Sequence, residues 1–186
     1  IRDSATVAYF FMGDNVLLSF QVKESFLLSE LPWYLILGLF CGFAGLYFTK
    51  VTIAIEKLYR KIENSWVRML TGGIILGVLI FFMPALYGEG YDAVMKLLEA
   101  DGGSLPGHGL FGIEASNFWI LAVLMALLLL LKVVATASTN GAGGAGGVVA
   151  PVLFTGAVAG YFFSSVTNHL FGLSLVESSF TLTAMA

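Results

Sequence analysis

Charge is what this chain has least of. Only 11% of its 186 residues are charged, against about 25% in an ordinary soluble domain. Nine Lys and Arg against twelve Asp and Glu leave a formal net charge of −3, too small to imply an acidic or basic partner. The basic residues form no patch interleaved with aromatics, which excludes nucleic-acid binding. Cysteine is nearly absent: Cys41 stands alone in an apolar run, so no internal disulfide is available and no redox compartment can be read. The loop acids Glu89, Asp92, Glu99 and Asp101 lack the dense alternation of a calcium loop, and no metal or other cofactor is expected. The start Ile-Arg-Asp-Ser has no basic region ahead of an apolar core, so it does not read as a cleavable leader. Both ends look cut, with short or truncated apolar segments at 5–12 and again at Ala186.

What the chain has is hydrophobic length. It is 58% hydrophobic with a mean hydropathy of +0.91. Four apolar segments, about 33–55, 67–86, 118–137 and 148–171, each reach the roughly 20 residues that carry a helix through about 30 Å of hydrocarbon. Solid runs such as the five leucines at 127–131 contradict the alternation of a transmembrane barrel strand. The fold class is therefore all-α, a polytopic helical membrane protein. Residues 1–186 read as one partial transmembrane domain without an internal repeat.

The connections differ in sign. Lys57, Arg60, Lys61 and Arg68 lie between the first two spans, whereas 13–32 and 87–117 are mostly acidic. The positive-inside rule puts the basic connection in the cytoplasm and the acidic ones outside, with the third span running inward and the fourth outward. Trp33, Trp66 and Trp119 fall at span edges, where interfacial aromatics belong. Polar spacing from Glu56 to Glu63 extends the first helix beyond the membrane. Small-residue pairs four apart, Gly38/Gly42, Gly73/Gly77 and Gly156/Gly160, allow close helix contacts in a compact bundle. A short helical piece is expected at 91–100 inside the outer connection.

The most informative stretch is 140–160. Small residues end one long apolar segment and another begins at once, with Pro151 near its start, which marks a helix N-terminus. Such a terminus offers unpaired N–H groups and the positive end of the helix dipole, and so attracts anions without a basic side chain. Gly141, Gly143 and Gly146 also satisfy G-x-G-x-x-G, but a dinucleotide fingerprint needs a preceding strand and an acid about 20 residues on. Neither is present, and no Gly-Lys-Ser/Thr completes a P-loop. A tight turn between packed membrane helices is the alternative on spacing alone.

Gly143-Gly-Ala-Gly-Gly-Val-Val-Ala-Pro151, continuing through Gly156 and Gly160, resembles the long glycine signature of the CLC family of chloride channels and proton-coupled chloride transporters. Pro84-Ala-Leu-Tyr-Gly-Glu-Gly-Tyr91 resembles the family's segment between two helices. The run 131–138 resembles its approach to the glycines, and 180–186 the start of a later helix. The likeness covers nearly the whole chain and implies the end of the family's first half with much of its second, in an inverted-repeat fold. It implies a central anion held by the backbone amides of Val148 and Val149, with Gly143, Gly144, Gly146, Gly147 and Pro151 forming the loop and helix start. Val149 stands where the family usually has Phe, and Ala142 and Ala145 where Ser is common; none of these changes removes an amide. The family's gating and internal glutamates, its serine loop and its inner tyrosine have no counterpart in 1–186.

Lys132 has two readings. At 1.5 Å per residue it lies roughly 21 Å from Phe118, so it either snorkels to the cytoplasmic interface or raises the potential along the anion's vestibule. His108 and His169 are read as surface or interfacial, and Tyr161, Phe162 and Phe163 as packing residues. The expectation is a non-enzymatic homodimer with one pathway per subunit, in the inner or plasma membrane of a prokaryote, moving chloride in exchange for protons. A passive channel, a fluoride-selective relative, and a membrane scaffold or enzyme that uses the glycines only for packing remain the alternatives.

Overall fold

The computed structural model describes residues 30–87, 90–98 (backbone alone at 91 and 92) and 118–186. The expectations for 5–12, most of the connection 13–32, Glu89, His108 and the acids between 99 and 114 lie outside the described residues. Among the described residues the elements are helices: α1 (Leu31–Arg60), α2 (Ser65–Phe82), a 3-10 turn (Pro84–Leu86), α3 (Tyr91–Leu98), α4 (Phe118–Gly141), α5 (Val149–Phe171) and α6 (Glu177–Met185). Four of them, α1, α2, α4 and α5, are long and apolar enough to cross a membrane.

The helix ends follow local chemistry. Asn64 caps α2 by accepting the Trp66 amide at 3.0 Å. Pro84 stops α2 early: the residue before a proline is pushed out of the helical region, and Met83 sits at φ −136°, ψ 84°. The helix therefore ends at Phe82 rather than at the expected 86. The α4 helix runs past the expected 137 to Gly141, since nothing before the glycines breaks it. At the far end of α5, Gly172 closes the helix at φ +63°. The Asn168 side chain then binds Leu175 both ways, accepting its N–H at 2.8 Å and donating to its C=O at 3.0 Å.

The central helix is α4, against which α1, α2 and α5 all pack. The Tyr47 hydroxyl donates to the Leu130 carbonyl at 3.2 Å and Tyr59 meets Gly141, so α1 and α4 run parallel. Gly72 meets Ala142 while Leu86 meets Lys132, so α2 is antiparallel to both. Phe118 stacks on His169 at 4.0 Å, which makes α4 and α5 an antiparallel hairpin with the glycine stretch at its tip. These relative directions alternate as the charge pattern requires.

One core joins α3, α4 and α5 through Val94, Leu97, Met125, Leu128, Phe154 and Val158. The short helix expected at 91–100 is present as α3, and its Ala93, Val94, Leu97 and Leu98 are buried. Eight residues cannot span a bilayer, but their helical spacing gives one apolar face that closes the bundle. The outward faces of α1 and α2 carry exposed Leu35, Leu39, Phe43, Ile74 and Val78, suited to lipid. Gly156 and Gly160 let the backbone of α6 lie directly on α5, in contact with Ala184 and Phe180.

Candidate functional site

The turn at the hairpin tip is built in two stages. First, α4 is closed by a Schellman motif: Gly144 N–H donates to the Thr139 carbonyl at 2.9 Å and Gly143 N–H to Asn140 at 3.1 Å. Gly143 adopts φ +101°, a conformation that a β-carbon would make costly. Second, the chain crosses to α5, where Val148 is the N-cap, at φ −90° and ψ −22°, without a side-chain cap. Neither valine nor the preceding glycines can accept a hydrogen bond through a side chain, as Ser, Asp or Asn would. The first bond inside α5 is Val152 N–H to the Val148 carbonyl at 3.1 Å, and Pro151 has no N–H to satisfy. Among the described residues, the amides of Val148, Val149 and Ala150 thus have no protein acceptor.

Beside this helix start is a cavity of about 360 Å³. Ala145, Gly146, Gly147, Ala150 and Pro151 form one wall, Lys132, Thr136, Thr139 and Asn140 of α4 another, and Leu76, Ile80, Leu86 and Tyr87 the third. The threonine hydroxyls turn back on their own helix, Thr136 to the Lys132 carbonyl and Thr139 to the Ala135 carbonyl, both at 2.9 Å. They are therefore committed donors, which leaves Lys132, Asn140, Tyr87 and the backbone of residues 145–147 and 150 as the cavity's remaining polar groups.

Lys132 does not snorkel. It is 2% exposed, its Nζ donates to the Leu86 carbonyl at 3.1 Å, and it lies 4.7 Å from the centroid of the Phe154 ring. The reason is the early end of α2, which brings the carbonyl of the 3-10 turn to the depth of Lys132 and gives the ammonium a polar partner inside the bundle.

The structure therefore gathers Gly146, Gly147, Pro151 and Lys132 around one cavity. Gly143 and Gly144 close α4 instead, and the Val148 and Val149 side chains are 45% and 74% exposed. These two residues do not line the cavity, and the start of α5 is open rather than enclosed by the described residues. Sequence reading used Arg68 only for orientation and passed over Tyr59 and Asn140, all of which meet the glycine stretch. The Tyr59 ring lies against Gly141, Arg68 Nη2 is 3.6 Å from where a Gly143 β-carbon would stand, and Asn140 Oδ1 faces Gly146. The spacing of Arg68 and Gly72, one helical turn apart, is a signal that could have pointed there.

Comparison with curated proteins gives no match. A family profile described as voltage gated chloride channel matches residues 4–186, a range that contains the glycine turn, the free amides and all four apolar helices. Chloride passage across a membrane, through a multi-pass helical protein, is that family's business. On this match the chain belongs to the voltage-gated chloride channel family, the CLC proteins.

Proposed function

We propose that this chain carries chloride through the membrane by holding it at the start of α5, on the backbone amides of Val148 and Val149. The observation that carries this reading is the uncapped helix start beside a cavity that also contains Lys132. Amides attract the ion through partial charges, and no arginine or lysine forms a tight ion pair with it at the helix start. Moderate attraction suits a site that an ion must leave as well as enter. Gly146 and Gly147 let the chain approach the ion closely, and Pro151 holds the first turn without adding a donor.

In this reading the transport cycle exchanges chloride for protons, in a homodimer with one pathway per subunit, in the plasma membrane of a prokaryote. The proton path would use groups other than those of this site, since the cavity holds no carboxylate among its lining residues. The test is flux from liposomes carrying the full-length protein, with chloride and pH electrodes read together. Uphill proton movement driven by a chloride gradient is the expected result. Chloride flux without coupled protons would make it a passive channel, and no anion flux at all would overturn the transport reading.

A further inference from the structure

Lys50 interrupts the first apolar segment, and the fold shows which way it points. Leu39, Phe43 and Leu46 are 64%, 63% and 57% exposed. They follow one another at intervals of four and three residues, which keeps them on one stripe of α1. The same spacing continues to Lys50, then, two turns on, to Lys57, and from there to Lys61, and all three lysines are exposed. The buried residues of α1, Leu37, Phe48 and Tyr59, lie on the other side of the helix. The outward stripe of α1 is therefore apolar toward its start and basic toward its end.

Depth gives these lysines a meaning. Counted from Trp33 at the outer edge, a rise of 1.5 Å per residue puts Lys50 roughly 26 Å along the helix, Lys57 roughly 36 Å and Lys61 roughly 42 Å. Against about 30 Å of hydrocarbon, Lys50 lies at the inner margin of the acyl chains and the other two at headgroup depth. A lysine facing lipid there lays its stem along the apolar surface and delivers its ammonium to the phosphate layer. Among the described residues no hydrogen bond or ion pair engages Lys50, Lys57 or Lys61, and Glu56 is half-buried off the stripe. A plainer role is that of a topology signal bathed in water. That role asks only for charge somewhere in the cytoplasmic connection, and explains neither the shared stripe nor a lysine inside the acyl layer.

We propose that the outward stripe of α1 binds an anionic phospholipid of the cytoplasmic leaflet, with its phosphate between Lys50 and Lys57, its headgroup toward Lys61 and an acyl chain along Phe43 and Leu46. The two lysines that flank the phosphate are about 10 Å apart along the axis, a gap that two extended stems close on one group. Charge complementarity chooses the occupant. A zwitterionic lipid brings no net charge to match the lysines, and a second copy packed on the same stripe about a two-fold axis would set lysines against lysines.

The test uses the full-length protein, stripped of lipid and titrated with phosphatidylglycerol or phosphatidylcholine, with bound lipid counted by native mass spectrometry. One saturable phosphatidylglycerol per chain is expected, and phosphatidylcholine should be held at least about tenfold more weakly. Lys50→Gln should weaken phosphatidylglycerol binding about fivefold, and Lys50→Gln combined with Lys57→Gln about twenty-five-fold. Lys57→Arg, which keeps the charge, should stay within about twofold of the parent. These side chains bond nothing among the described residues, so the variants should unfold at the parental temperature without lipid; should Lys50→Gln fail to fold, Lys57→Gln alone carries the test with the same fivefold loss. Parental binding in the double variant, or equal retention of the two lipids, overturns the site. Displacement of the lipid by an equal concentration of inorganic phosphate would mean that the lysines read a free anion. A changed oligomeric state with lipid binding intact would give the stripe to a second copy, and either of these results also overturns the proposal.

Discussion

Replacing Lys132 by Met separates what its charge does for the anion from what it does for the fold. The unbranched stem keeps most of the volume, and the ammonium disappears. Local contacts are lost with it. The Leu86 carbonyl loses its donor at 3.1 Å, worth roughly 1.5–3 kcal/mol for a bond to a charged group. The contact over Phe154 at 4.7 Å contributes about 1 kcal/mol. Removing a buried charge offsets much of this, because a desolvated ammonium is itself costly, so a net stability loss of about 1–2 kcal/mol is expected. The effect on the ion is separate. A cavity of about 360 Å³ is about 9 Å across if spherical, and unit charges at that distance interact by roughly 1.8 kcal/mol at an effective dielectric of 20. Chloride affinity should therefore fall roughly tenfold to twentyfold, whereas Lys132→Arg, which keeps the charge, should bind within about threefold of the parent. Calorimetric chloride titration of monodisperse full-length protein reads the first effect, and thermal unfolding without chloride reads the second. Parental chloride affinity in a folded Lys132→Met variant would refute the electrostatic role.

Two further outcomes follow from the packing and the charge pattern. Gly160→Val should cost about 2–4 kcal/mol and part α6 from α5, because a β-carbon there would stand 2.5 Å from the Phe180 carbonyl oxygen and 2.8 Å from Ala184 Cβ; parental thermal stability would show that the two backbones are not in contact. In a Cys41→Ala background, cysteine at Lys61 should react with a membrane-impermeant thiol reagent only from the cytoplasmic side and cysteine at Ser174 only from outside. The reverse labelling would invert the direction of every span.

Much of this architecture is legible in the sequence because a bilayer leaves few solutions. Apolar runs of about 20 residues must be helices, and the glycine stretch between 140 and Pro151 marks where two of them meet. The α5 start is one of the clearest readings, since a helix with no capping residue and a proline in its first turn keeps its amides free by composition alone. Other features were not legible. The burial of α3 depends on which neighbours cover its apolar face, and eight residues carry too little hydrophobicity to announce it. The fate of Lys132 depended on where α2 stops: Pro84 is visible in the sequence, but the depth at which Leu86 then meets α4 is set by packing. Arg68 enters the sequence analysis only through the charge pattern and Tyr59 not at all, because sequence cannot show which neighbours a side chain meets or which donor goes unmet.

The central claim concerns one backbone group, so its most direct test removes that group. Val149→Pro deletes the amide at the first turn of α5, and Val149→Phe changes the side chain while keeping the amide. Both variants of the full-length protein are first checked for monodispersity, and chloride is then titrated calorimetrically. The account predicts that the Phe variant binds chloride about as the parent does and that the Pro variant binds it at least about tenfold more weakly, the loss expected for one hydrogen bond to a charged ligand. Unchanged chloride affinity in a folded Val149→Pro protein would contradict it.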